Sequence, residues 1–117
     1  MKVAILGRET ATRRVMDCLA EAGVEVTSLP CGVEEMIASP DGFELAIVDS
    51  STSDIEVVCH CIKKVWSIPL ILMVGRDINW ERADQLDADG YLPITIGKSE
   101  LRNRLKTILR RFGGIAG

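Results

Sequence analysis

The stretch that decides the fold is Leu45-Ala46-Ile47-Val48-Asp49. Four consecutive apolar residues read as a strand buried on both faces, and such strands belong to parallel sheets covered by helices. The run ends in a carboxylate. That side chain emerges at the carboxyl edge of the sheet, where open α/β folds place their binding crevice. Asp49 is therefore the first candidate functional residue.

Short apolar runs alternate with helix-period segments in both directions from this strand. Upstream, Val3-Ala4-Ile5-Leu6 reads as a first strand. Ala11, Val15, Cys18, Leu19 and Ala22 follow at helical spacing, with Gly23 as the stop. Val24 to Leu29 alternates as a second, more exposed strand. Val33, Met36 and Ile37 then predict a short second helix, ended by Ser39-Pro40-Asp41-Gly42.

Downstream, Ile55, Val58, Cys59, Ile62 and Val65 place one apolar stripe on a third helix. Ile68-Pro69 introduces Leu70-Ile71-Leu72-Met73-Val74, a second fully apolar strand. Trp80, Ala83 and Leu86-Asp87 outline a short fourth helix. Gly90 leads into Tyr91-Leu92-Pro93-Ile94, whose proline fits only an edge strand. Ser99 is the expected N-cap of a fifth helix lined by Leu101, Leu105, Ile108, Leu109 and Phe112. Five βα units with short connections imply an α/β fold: a five-stranded parallel sheet, (βα)5 and flavodoxin-like, with right-handed crossovers and helices on both faces. Residues 1–112 are expected to form one domain and residues 113–117, Gly-Gly-Ile-Ala-Gly, a flexible tail.

Composition narrows the function classes. Hydrophobic residues make up 47% and charged residues 26% of the 117, which excludes a disordered or fibrous chain. No apolar run approaches the ~20 residues of a membrane span. The run after Met1-Lys2 is too short for a signal-peptide core, so the expected compartment is the cytoplasm. Cys59-His60-Cys61 suggests a metal, but neighbours on a helix point ~100° apart and cannot converge on one ion. Cys18, Cys31, Cys59 and Cys61 are instead expected to be small buried thiols, and no metal or other cofactor is assigned. The net charge of −3 is uneven: from Lys98 onward there are six basic residues and one acidic, against eight and sixteen before it. That basic segment lacks aromatic interleaving. It reads as a solvated helix face that answers an acidic body, not as a nucleic-acid-binding surface.

In this order and spacing, the chain resembles the receiver domain of two-component response regulators over roughly residues 2 to 111. The likeness is carried by Leu45-Ala46-Ile47-Val48-Asp49, Ile68-Pro69-Leu70-Ile71-Leu72-Met73 and Ala88-Asp89-Gly90-Tyr91-Leu92. The resemblance implies that Asp49 is the phosphoacceptor position and Tyr91 the switch aromatic. It also implies a pair of metal-binding acids after the first strand, where Gly7-Arg8 stands with Glu9 one place later. A hydroxyl residue is implied where Val74 ends the fourth strand. A lysine followed by proline is implied where Ile94-Thr95 stands, so the cis peptide of that pair is not expected. Arg8 puts a permanent cation where a Mg²⁺ ligand belongs, and hard cations want oxygen ligands. The chain therefore resembles a degenerate, pseudo-receiver type, with an Arg8–Asp49 contact expected in place of the metal.

The function expected from that pattern is a protein-interaction module in phosphorelay signalling. Its docking face would comprise the fourth helix, fifth strand and fifth helix, with Trp80, Arg82, Tyr91, Arg102 and Lys106. Either a protein partner or a weak homodimer would use it, with Glu81, Asp84 and Asp87 answering Arg102, Lys106 and Arg110. One alternative is a receiver still phosphorylated on Asp49 by a histidine kinase. Another is an anion- or nucleotide-binding flavodoxin-like module using the turn Gly7-Arg8-Glu9-Thr10-Ala11-Thr12, although no glycine-rich phosphate-binding motif is present. With His60 the single histidine, and that on a helix away from Asp49, no nucleophile–base pair is expected and the chain is not read as an enzyme.

Overall fold

The computed structural model describes residues 2–29 and 42–113. Its described elements are β1 (Lys2–Leu6), α1 (Glu9–Glu21), β2 (Glu25–Leu29), β3 (Leu45–Asp49), α2 (Ile55–His60), β4 (Leu70–Val74), α3 (Trp80–Asp84), β5 (Gly90–Pro93) and α4 (Lys98–Gly113). The five strands form one parallel sheet in the order β2-β1-β3-β4-β5. β3 and β4 sit centrally and are buried along their whole length, as their unbroken apolar runs require.

Alternation of side chains splits the core into two layers. Ala4, Leu6, Ala46, Val48, Leu70 and Leu72 face one way and pack against α2 and α3 through Ile55, Val58, Ile62 and Ala83. Ile5, Leu45, Ile47, Ile71, Met73 and Leu92 face the other way, against Val15 and Leu19 of α1 and Leu101, Leu105 and Leu109 of α4. The expected fold with helices on both faces is the observed one.

Three local expectations change. The helix that begins at Ile55 widens into a π segment over Cys61–Trp66. Its longer i→i+5 bonds shift the phase of the apolar stripe. Val65, expected on the buried stripe, is consequently 62% exposed, while Trp66 turns inward to stack on Phe43 at 5.7 Å. Ser99 is not the N-cap of α4: the helix starts at Lys98, and the Gly97 carbonyl accepts the first helical bond from Leu101 N–H at 2.9 Å. α4 also runs through Gly113, the first residue assigned to the tail. The expected second helix at Val33, Met36 and Ile37, the thiol of Cys31, and residues 114–117 of the tail lie outside the described residues.

At the end of α1 the sequence reading holds in detail. Gly23 takes φ +78° and donates to the Ala20 carbonyl, while Val24 N–H reaches back to Leu19. This left-handed stop lets the chain reverse directly into β2. Among the described residues no helix is long and apolar enough to cross a membrane.

Candidate functional site

Asp49 closes β3 at the carboxyl edge, between β1 and β4, and is 2% exposed. A carboxylate so deeply placed needs partners. Its Oδ1 accepts from the Ser51 N–H at 3.1 Å and from Ser51 Oγ at 3.0 Å. Its Oδ2 accepts from Arg8 Nε at 3.3 Å. The Arg8–Asp49 contact expected from the strand order is thus present, with the Arg8 side chain 67% exposed and that of Asp49 3%. Arg8 reaches Asp49 because β1 pairs directly with β3, Leu6 opposite Val48.

Gly7 makes this approach possible. It sits at φ +142°, and a Cβ built on it would lie 2.4 Å from Asp49 Cβ. Only glycine fits between the end of β1 and the carboxylate-bearing end of β3. The Glu9 backbone opens α1, and its side chain lies outside the described structure.

The remaining substituted positions stand around the same edge. Val74, the last residue of β4, is buried, and its carbonyl accepts from Ile94 N–H at 3.0 Å. Ile94 is half-buried and lines a cleft of about 470 Å³ beside Asp49. Arg8, Arg76 and Arg82 bring cations to this cleft, and Ile55, Ile78, Ala83 and Leu86 bring apolar surface. Thr52 also lines it, with a buried Oγ1 that has no hydrogen-bond partner among the described residues. The donors found on Asp49 are a guanidinium, an amide N–H and a hydroxyl. No group of three or more His, Cys, Asp or Glu side chains among the described residues is placed to hold a metal ion.

No protein-family model matches the chain. Among curated proteins, the response regulator MprA of Mycobacterium avium (strain 104) is 31% identical over 119 residues, covering 95% of this chain and 52% of that protein. The chain therefore spans about half the length of the curated relatives it matches. Among solved structures, a two-component response regulator from Clostridium difficile superposes with a TM-score of 0.75 at 23% identity, covering 95% of this chain and 97% of that one. The receiver domain of a sensor histidine kinase from Pseudomonas aeruginosa, solved with magnesium coordinated in its active-site cleft, gives 0.74 at 17% identity and covers 97% and 98%. The chemotaxis response regulator CheY4 of Vibrio cholerae gives 0.70 at 19% identity and covers 92% and 98%.

The chain has the fold of a response regulator receiver domain. Within this fold, Tyr91 lies half-buried on β5, its ring edge-on to Trp80 at 5.2 Å and its hydroxyl donating to Asp84 Oδ1 at 3.4 Å. Burial raises the Tyr91 phenol above its ordinary value, and the adjacent Asp84 carboxylate adds to the rise. Arg82 turns to Glu56 on α2, Nε to Oε1 2.6 Å. Trp80, Arg82 and Tyr91 therefore gather around α3. Arg102 and Lys106 instead line a groove against α1 with Cys18, Glu21 and Ala22, and Arg102 is paired with Glu21 at 2.8 Å. The helix places them one step around from the buried Leu101 and Leu105, on the flank that meets α1. His60 is exposed at the end of α2.

Two contributors to the site were not anticipated. Ser51 holds Asp49 Oδ1 through the two-residue side-chain-to-backbone loop that Asp favours, so the run Asp49-Ser50-Ser51 carried a readable signal. Arg14 of α1 donates to the carbonyls of Ile94 at 3.0 Å and Ile96 at 2.7 Å, clamping the segment after β5. Its partners lie 80 and 82 positions away in sequence, and no local pattern announces them.

Proposed function

We propose that this receiver domain serves two-component signalling in the cytoplasm as a protein-interaction module independent of Asp49 phosphorylation. The observation that carries this reading is Arg8 Nε on Asp49 Oδ2 at 3.3 Å. Phosphoryl transfer to a carboxylate is mostly positioning and charge stabilisation by a divalent cation. Mg²⁺ asks for near-octahedral oxygen ligands. The groups described around Asp49 are donors, and a fixed guanidinium repels a second cation, so the residues present do not fit the metal. Val74 and Ile94 offer neither a hydroxyl nor an ammonium to a phosphoryl oxygen.

With that chemistry removed, the sheet and helices remain as a scaffold for binding. Trp80, 51% exposed and braced by Tyr91, and the neighbouring Arg82 form the surface we assign to a protein partner or a second copy of the chain. Exposed aromatics and arginines are the residue types that anchor such contacts.

Magnesium titration followed by amide NMR tests the reading. Asp49, Ser50 and Ser51 in the native chain are expected to show no saturable shift at millimolar Mg²⁺. Arg8→Asp, which supplies a second carboxylate and removes the guanidinium, is expected to gain one. Saturable magnesium shifts at Asp49 in the native chain would overturn the proposal.

A further inference from the structure

We propose that the cleft beside Asp49 is a binding site for a small organic anion with an apolar body and an oxyanion head. Its volume of about 470 Å³ falls within the range of small-molecule sites, which join an apolar lining to a few convergent polar groups. The apolar part is Ile55, Ala83 and Leu86, all buried, with the half-buried Ile78 at their side. The polar part holds three arginines, Arg8, Arg76 and Arg82, beside the carboxylates of Asp49 and Asp77.

The arginines are not equally committed. Arg82 is held by Glu56 across α2 and α3. Arg8 spends its Nε on Asp49, and its two terminal nitrogens hold no hydrogen bond among the described residues. Arg76, exposed in the segment after β4, has no ion pair or hydrogen bond among them. Two guanidinium groups with spare donors therefore stand at one apolar cleft, and the planar guanidinium fork binds carboxylate and phosphate oxygens in pairs. Asp49 offsets the charge of Arg8, so what the cleft offers an anion is the unused donors of Arg8 and Arg76 and not a strong net positive charge. Asp77, the other carboxylate on the cleft, is exposed and next to Arg76 in sequence; a ligand's anionic head is expected between the Arg8 and Arg76 guanidinium groups.

Thr52 adds a second kind of observation. It is 8% exposed, lines the cleft, and carries the one buried side-chain polar atom without a partner among the described residues. An unmet buried hydroxyl is costly; its oxygen is covered in this structure, so a ligand oxygen would meet it once the Thr52 side chain turns toward the cleft. The site would let a cellular metabolite report on this domain where phosphate on Asp49 does not. It needs no metal, and the test is run without one, so its failure leaves the metal-free reading of Asp49 standing.

The test is amide and arginine side-chain NMR of the whole chain in EDTA, titrated separately with phenyl phosphate, benzoate and inorganic phosphate. Saturable shifts at Thr52, Arg76 and Ile78 are expected with phenyl phosphate or benzoate, and whichever binds tighter identifies the head group. Inorganic phosphate is expected to bind more weakly, since it leaves the apolar lining unused. Arg76→Ala should weaken binding about tenfold through the loss of a charge-assisted contact. Ile78→Ser should weaken phenyl phosphate and leave inorganic phosphate unchanged, a split that mere unfolding would not produce. No saturable shift with either organic anion would overturn the proposal. Equal binding of inorganic and phenyl phosphate, or binding indifferent to Arg76→Ala, would also overturn it.

Discussion

Gly7→Ala probes how tightly the end of β1 is fitted against Asp49. The new methyl carbon would stand 2.4 Å from Asp49 Cβ and 3.3 Å from Thr12 Cγ2. Carbon atoms rest about 3.5–4.0 Å apart, so the first contact is short by more than about 1 Å. Asp49 cannot yield easily, because it ends a central strand and its carboxylate is held from two sides. Overpacking of this kind costs about 1–3 kcal/mol. The backbone at φ +142° adds about 1–3 kcal/mol for a residue with a Cβ. The reduced entropy of the unfolded chain returns about 0.4–1 kcal/mol. A net loss of about 2–5 kcal/mol is expected, a large part of the ~5–15 kcal/mol that holds a domain together. Gly23→Ala is the control: φ is also positive, +78°, but nothing lies within 4 Å of the added carbon. That variant should lose only about 1–2 kcal/mol. Urea unfolding followed by tryptophan fluorescence measures both. Equal losses in the two variants would refute the close approach of Gly7 to Asp49.

Arg14→Ala removes the two donors on the Ile94 and Ile96 carbonyls. Faster hydrogen exchange is expected from Thr95 to Lys98, with a stability loss of about 1 kcal/mol because the contacts are exposed. Asp89 gives a pH signature. Burial raises its carboxyl, but hydrogen bonds from Lys63 and Leu70 N–H, with the charges of Lys63 and Arg111, outweigh that and leave it below the ordinary range. The unfolded chain then binds the extra proton, so this contribution to stability is present above pH ~4 and is lost as pH falls through the lower folded value. Lys63→Met should flatten the loss of stability below pH ~4, read from urea midpoints against pH; an unchanged slope would exclude the pairing. Burial, with the Glu56 charge as a lesser cause, pushes the Cys59 thiol up to about 12. Peptide mass mapping should find Cys59 unalkylated by iodoacetamide at pH 8 in the native chain and labelled in urea.

The fold was legible because its strands are pure. Leu45 to Val48 and Leu70 to Val74 have no polar residue to spoil a two-faced burial, and glycine or proline marks the strand ends. The helix after Asp49 was half legible: its start followed the apolar spacing, while the π segment left no signature apart from a valine and a tryptophan exchanging places. At the site, strand order alone brought Arg8 to Asp49, and that contact could be anticipated. The cleft could not. Arg76, Arg82, Thr52 and Ile78 come from three separate segments, and their convergence depends on how the chain after β4 folds over the edge of the sheet. Arg102 shows the same limit in reverse. Helical spacing set its exposure correctly, but the pull of Glu21 and Lys98's neighbouring pairing with that carboxylate turn this flank toward α1.

Intact mass of the purified chain after incubation with acetyl phosphate and millimolar Mg²⁺ tests the replacement of metal by Arg8 most directly. The unmodified mass is expected for the native chain. A stoichiometric phosphoryl adduct, absent from an Asp49→Asn variant treated in the same way, would contradict it.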